Sequence, residues 1–341
     1  MKVAMFYNNL SDTRVQCNLC SHRCTISDRK RGICGVRENR DGALYSLVYG
    51  RTVARYVDPI EKKPLFHFYP GSTAFSIGTP GCNFRCQWCQ NWEISQMSRE
   101  QHPIMGDEII PEQIVSDAKQ TGCKSIAYTY TEPTIFFEYA YDTSLLAHEN
   151  GFANVFITNG YMTKEMLEVY HPYLDAVNVD LKAFRDETYQ KYVCARLQPV
   201  LDSLRLIKKY GIWVEVTTLI IPGINDDNAE LQDAAHFIAD ELGKETPWHI
   251  SRFFPSYKMT DVPPTPFSTL QKAREIGLEA GLHYVYKGNI SGEENTLCHN
   301  CGYLLVRRSG YSILENNIGR NRRCPSCGTL VAGVGMNTNN T

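Results

Sequence analysis

From Thr73 to Tyr286 short apolar runs alternate strictly with amphipathic stretches. The runs cover 74–77, 125–130, 154–158, 176–181, 213–221, 249–254 and 283–286. Between them the 3.6-residue period predicts helices over 110–119, 134–149, 164–170, 200–210, 229–242 and 270–280. A chain that alternates this way builds parallel strands joined by right-handed crossovers, hence an α/β barrel or a doubly wound sheet. Periodicity does not separate the two. In both, loops at the carboxyl ends of the strands form the site.

The loop after the first run is Gly78-Thr-Pro-Gly-Cys82-Asn-Phe-Arg-Cys86-Gln-Trp88-Cys89-Gln-Asn-Trp92. Four thiolates close the shell of a zinc ion or an iron–sulfur cluster, so three leave one position for another ligand. A zinc knuckle completed from elsewhere is the plainer alternative. Of the 13 cysteines, 11 fall in three tight groups, which in a cytosolic protein signals metal or redox chemistry rather than disulfides. Cytosolic placement is expected from the absence of a signal h-region and of any apolar run near 18 residues. At 43% hydrophobic, 21% charged and net charge −2, the 341-residue chain has ordinary globular usage and no general attraction to nucleic acid.

The other two cysteine groups flank the alternating region. The first holds Cys17, Cys20, His22, Cys24 and Cys34, more ligands than one tetrahedral site needs. A structural zinc held by four of the five is the expectation, with a second iron–sulfur cluster and redox-active thiols as alternatives. In the tail, Cys298-x-x-Cys301 and Cys324-x-x-Cys327 are knuckles 22 residues apart, the spacing of a zinc ribbon or a rubredoxin-like unit holding zinc or iron. Three units follow: 1–70, a cysteine-rich segment and hairpin; 71–290, the core; 291–341, the tail. The hairpin is expected over 43–57 about Gly50. Glu61, Lys62, Lys63 and His67 are expected beside the cysteine loop, Cys123 and Cys194 as small buried hydrophobes, 223–227 as a turn and helix cap, and 333–341 as frayed. The basic stretch 319–323 suggests nucleic-acid contact or an exposed loop.

The CxxxCxxC loop with Trp88 resembles the signature of the radical SAM superfamily. That resemblance implies an open, partial (β/α)6 barrel in which Cys82, Cys86 and Cys89 hold three irons of a [4Fe-4S] cluster and S-adenosylmethionine chelates the fourth. Reductive cleavage would then give methionine and a 5′-deoxyadenosyl radical that abstracts hydrogen. At the ends of later strands, Tyr128-Thr-Tyr-Thr-Glu132-Pro stands where that superfamily often has Gly-Gly-Glu-Pro, with only the glutamate carried over, and Thr158-Asn159-Gly and Asn178-Val-Asp180-Leu-Lys182 resemble motifs of glycyl-radical activating enzymes such as the pyruvate formate-lyase type. The resemblance implies that Trp88, Glu132, Asn159, Asp180 and Lys182 surround the cofactor. His249, Ser251 and Arg252 are weaker candidates.

Over roughly Cys17 to Cys327 the chain is similar to the radical SAM component of the AmmeMemoRadiSam system. Its marks are Gly32-Ile-Cys-Gly-Val-Arg, Asp58-Pro-Ile-Glu-Lys-Lys-Pro-Leu-Phe-His and Ile221-Pro-Gly-Ile-Asn-Asp. That similarity implies an oxidoreductase, an electron donor such as ferredoxin or flavodoxin, and Memo-like and Ammecr-like partners, with no substrate fixed. The alternatives are an activase for a glycyl-radical enzyme and a metal-stapled binding module, possibly for nucleic acid.

Overall fold

The structure, a computed structural model, describes residues 1–96 and 103–337. Its centre is one sheet of eight strands: β1 (Ala54–Pro59), β2 (Thr73–Gly78), β3 (Ser125–Tyr128), β4 (Ala153–Thr158), β5 (Ala176–Asp180), β6 (Trp213–Ile220), β7 (Trp248–Arg252) and β8 (Val285–Gly288). They lie side by side in chain order. Strands β2 to β8 are parallel, and β1 runs antiparallel along the outer edge of β2. This is the open, partial (β/α)6 barrel that the resemblance implies, with one further strand at each edge. The two edges are not paired to each other among the described residues.

The crossovers are α1 (Pro111–Gln120), α2 (Phe137–Glu149), α3 (Lys164–Tyr170), α4 (Gln198–Lys209), α5 (Asn228–Phe237) and α6 (Phe267–Glu279). Their starts follow from capping chemistry. The Thr163 hydroxyl accepts from Met166 N, Asp227 accepts from Ala229 N and Glu230 N, and Pro111 opens α1, where its missing N–H costs nothing. The 223–227 stretch is thus the turn and cap expected of it. With helices on the outside, the strands are buried on both faces, and all four residues of β3 are buried.

Three expectations are corrected. No hairpin forms about Gly50: Ala43–Ser46 pairs back onto Arg37–Arg40, while Ala54–Pro59 pairs forward onto β2. The turn signal lies earlier. Asp41 (φ 53°) and Gly42 (φ 80°) form the two-residue, doubly left-handed connection that suits a tight hairpin.

The second correction concerns the stretch after β1. Pro64 reaches the cysteine cavity, but Ile60, Leu65 and Phe68 turn inward to pack on Ala74, Ala127, Val155 and Ala176. Small residues near the starting ends of the strands leave room for this plug. Glu215, on β6, accepts from Phe66 N and His67 N and from the rings of Trp213 and His249. Lys63 is buried against Asp58 at 2.6 Å, and Glu61 accepts from Gly71 N.

Third, the tail is ordered beyond its last cysteine. Val334 pairs with Phe68 and Met336 is buried. Residues 338–341 of the expected frayed end lie outside the described residues. No described helix is long and apolar enough to cross a membrane.

His67 Nδ1 lies 2.7 Å from the Ala332 carbonyl, which can only accept, and Nε2 lies 2.6 Å from the Tyr286 hydroxyl. Nδ1 therefore carries a proton, and in the neutral ring Nε2 accepts from the hydroxyl. Burial drops its pKa from 6.5 to about 4, against the pull of Glu215. A folded-state pKa below the unfolded one stabilises fully above the unfolded value and is lost as pH falls toward the folded one. Between pH 7 and 4 the unfolding free-energy gap between the native chain and His67→Gln should narrow by on the order of 3 kcal/mol. Urea unfolding at the two pH values measures it, and an unchanged gap refutes the neutral assignment.

Candidate functional site

The loop from Gly78 to Asn91 leaves the carboxyl end of β2 with little regular structure, and its shape is set from outside. Arg85 N and Gln87 N donate to the carbonyls of Val193 and Tyr192, at the end of a five-residue π-turn, Tyr189–Val193. Lys258 N donates to Gln87 O, Asn91 Nδ2 to Tyr130 O and the Thr131 hydroxyl to Thr79 O. Gly78 is forced by proximity, since a Cβ there would lie 2.8 Å from the Thr129 carbonyl oxygen.

So held, the loop brings Cys82, Cys86 and Cys89 to the rim of a cavity of about 260 Å³. The wall opposite comes from the strand ends. Trp88, Glu132, Asn159, Asp180 and Lys182 all line this one cavity. Of the weaker candidates only Ser251 joins them. His249 is turned into the interior against Glu215 at 2.7 Å, and Arg252 donates to the Thr265 carbonyl. Neither Cys123 nor Cys194 lines the cavity. Cys123 is buried as expected, but Cys194 is exposed, because it ends the π-turn in a left-handed conformation (φ 60°).

The polar residues of the wall also hold each other. Glu132 Oε1 accepts from Thr134 N, the Thr134 hydroxyl and the Thr158 hydroxyl at 3.0, 2.6 and 2.7 Å, and Oε2 accepts from Asn159 N at 2.7 Å. The buried carboxylate therefore ties the end of β3 to the end of β4. Burial raises its pKa and these donors oppose the rise. Asn159 passes the tie onward, its amide donating to Asn83 Oδ1 at 2.7 Å, inside the cysteine loop. Lys182 and Asp180 form a 2.8 Å ion pair. Burial alone would lower the Lys182 pKa, but the Asp180 carboxylate holds the ammonium well above its usual range.

The donor set fits an anionic metal cluster. Burial pushes the Cys86 thiol up to about 12 and Cys82 well above its ordinary value, so each becomes a thiolate only when a cation replaces the proton. Thr79 Oγ1, Asn83 Nδ2 and Trp88 Nε1, all on this loop, are buried without a hydrogen-bond partner, and Trp88 faces the cavity. Buried donors left open in this way call for an acceptor. The three sulfurs also do not gather within 4.8 Å of one another. A single ion would draw them together, whereas a cluster binds each thiolate through a different iron.

The tail is built differently. Cys298, Cys301, Cys324 and Cys327 place all four sulfurs within 4.8 Å of one another, with Cys298–Cys327 at 3.6 Å and Cys301–Cys324 at 3.7 Å. Tetrahedral bonds of about 2.3 Å give edges of about 3.8 Å, so one ion fits. In the basic stretch, Arg322 and Arg323 donate to the Gly333 and Gly328 carbonyls, which makes them braces of this unit. Cys17, Cys20, His22, Cys24 and Cys34 line a separate, smaller cavity and do not converge in that way.

The family model of the radical SAM superfamily matches residues 76–238, the span from β2 to α5 that carries the cysteine loop and the strand-end residues. An uncharacterized protein of Methanocaldococcus jannaschii is 50% identical over 334 residues, 97% of this chain and 99% of its own. The chain belongs to the radical SAM superfamily. A second protein of that organism, named provisionally as a glycyl-radical enzyme activating enzyme, is 27% identical over 64% of this chain and 80% of its own length. In fold, this radical SAM chain is similar to a radical SAM methyltransferase from Sphaerobacter thermophilus. The TM-score is 0.50 at 16% identity, over 70% of this chain and 71% of that one.

Sequence reasoning passed over Thr217 and Leu219, which line the same cavity. The period-two rule offered a signal, since residues two apart on β6 share a face. Glu132 gives the sharpest local test. Glu132→Gln turns an amide N–H toward a chain donor and leaves one unpaired, so it should cost about 2 kcal/mol of unfolding free energy. Urea unfolding of the metal-free protein measures this; an unchanged midpoint would mean that the carboxylate is not the tie.

Proposed function

We propose that the chain is a radical enzyme that cleaves S-adenosylmethionine reductively at a [4Fe-4S] cluster held by Cys82, Cys86 and Cys89. The observation that carries this reading is convergence: three thiols from one loop and four polar side chains from three successive strand ends line a single cavity. When bound there, the cluster supplies the electron that breaks a sulfonium carbon–sulfur bond, giving methionine and a 5′-deoxyadenosyl radical.

The chain's own groups bind, orient and shield. Lys182, kept protonated by Asp180, offers a cation for a carboxylate, and Asp180 an acceptor for hydroxyls. Glu132 has capacity left on Oε2 for an ammonium while holding Asn159 in place. Trp88, 3% exposed, lines the cavity on the same loop as the thiols. The electron comes from a low-potential one-electron donor of the ferredoxin or flavodoxin class.

Anaerobic incubation of the reconstituted protein with dithionite and S-adenosylmethionine should yield 5′-deoxyadenosine and methionine. Cys86→Ala should abolish both products. Lys182→Met should weaken S-adenosylmethionine binding on the order of tenfold, about 1.4 kcal/mol. Failure of a fully loaded native protein to cleave would overturn the reading.

The 27% identity to the relative named for glycyl-radical activation favours an activase as second reading. An organic radical signal on a glycyl-radical protein after incubation would support it; cleavage with no such signal would remove it. The similarity to the AmmeMemoRadiSam component favours Memo-like and Ammecr-like partners, which co-purification from a host expressing all three would reveal.

A further inference from the structure

The N-terminal cysteines sit at the junction between a small two-sheet unit and the barrel. Cys17 ends the strand Val15–Cys17, Cys20 bridges to Met162 beyond β4, and Cys34 precedes the strand Arg37–Arg40. Together with Cys24 they wall a cavity of about 20 Å³, which Leu19, Ile26, Ile135 and Arg37 also line. The exposed surface inside this cavity is apolar. Four thiols around so small a space need a reason.

The tail supplies an internal comparison. Its four sulfurs close to the edge lengths of one tetrahedral ion, whereas no three of the N-terminal ligand atoms lie within 4.8 Å of one another. A lone zinc sits about 2.3 Å from each sulfur, too close to leave space for a water-sized sphere between them. Here such space remains. Four thiolates held apart around a hollow fit a polynuclear centre, in which each sulfur meets a different iron.

A second observation points to an anion in the same place. Arg37, 2% exposed, lines the cavity. Its Nη1 is held by both oxygens of Glu138 at 2.9 Å and its Nη2 by the Met5 carbonyl at 2.6 Å, while its Nε is buried without a partner. The backbone N–H groups of His22, Ile33 and Val36 also point at the sulfurs of Cys20, Cys24 and Cys34. Donors that reach the sulfurs from several elements, beside a buried guanidinium, are what the thiolates of an anionic cluster accept from.

We propose that Cys17, Cys20, Cys24 and Cys34 bind a second, auxiliary iron–sulfur cluster of the [4Fe-4S] class. His22 is left as a link. Its Nε2 lies 2.8 Å from the Asn83 carbonyl, which can only accept, so the ring proton goes to the cysteine loop beside Cys82. The inference stands whether or not the Cys82 site cleaves S-adenosylmethionine.

Acid-labile sulfide decides it, because zinc, or a mononuclear iron in the tail, brings none. The native protein, reconstituted anaerobically, should hold about eight sulfides per chain and one further metal ion. The triple variant Cys82→Ala/Cys86→Ala/Cys89→Ala should keep about four sulfides and four cluster irons, with a dithionite-reduced paramagnetic signal that S-adenosylmethionine does not alter. Cys17→Ser/Cys34→Ser should lose about four sulfides while the remaining signal still responds to S-adenosylmethionine. Two zincs with about four sulfides in the native protein would overturn the proposal, as would a triple variant that folds and holds zinc without sulfide. If either variant fails to fold, the native sulfide count still decides.

Discussion

The cysteine loop after β2 makes most of its hydrogen bonds to other parts of the chain, and the architecture around it depends on supplying them. The π-turn after β5, the end of β3, the stretch after β7 and Asn159 after β4 each contribute. A parallel sheet gathers these segments at one end because every crossover returns the chain to the same side. Thiol spacing in space is thus a property of the whole barrel. Even the acid at the end of β3 serves this purpose, since Glu132 fixes Asn159 and Asn159 fixes Asn83.

The barrel was legible because its signal is local and repeated. Each strand run and helical stretch has its own period and its own cap, and most element ends moved by only one to three residues between expectation and structure. The five residues expected around the cofactor also line one cavity, since strand-end positions follow from the order of the elements. What stayed hidden was tertiary in origin. Nothing in Leu65, Phe66 or His67 says that they enter the barrel, because the donors that Glu215 accepts lie some 150 residues earlier in the chain. The hairpin about Gly50 was misread for another reason: hydrophobic alternation outweighed the Asp41-Gly42 turn.

The outer cysteine groups show the limit of counting ligands. Each offers four thiols in pairs or near-pairs, and chain spacing does not say how far apart the sulfurs end up. In the tail two short knuckles face each other across an antiparallel sheet, Thr296–Leu297, Leu304–Ser309 and Ser312–Asn316, which draws the sulfurs together. In the N-terminal unit the ligands hang from separate strands and turns, and the Arg37–Glu138 ion pair fixes that unit against α2. Backbone attachment sets the size of the hole.

The plug at the starting end of the barrel has a consequence for biosynthesis. Its carbonyls and ring are completed by groups from the far end of the chain: Phe66 O accepts from Arg308, His67 meets Tyr286 and Ala332, and Phe68 pairs with Val334. A nascent chain emerges in order, so residues 66–68 gain these particular partners only once the chain has been made as far as Val334. The barrel floor is closed by Arg308, Ala332 and Val334, all made after the strands of the core, and the tail's four cysteines lie between Tyr286 and Ala332 in the chain. The base of the barrel, on the side away from the cavity where the chemistry is proposed, is therefore sealed after the core strands have been made.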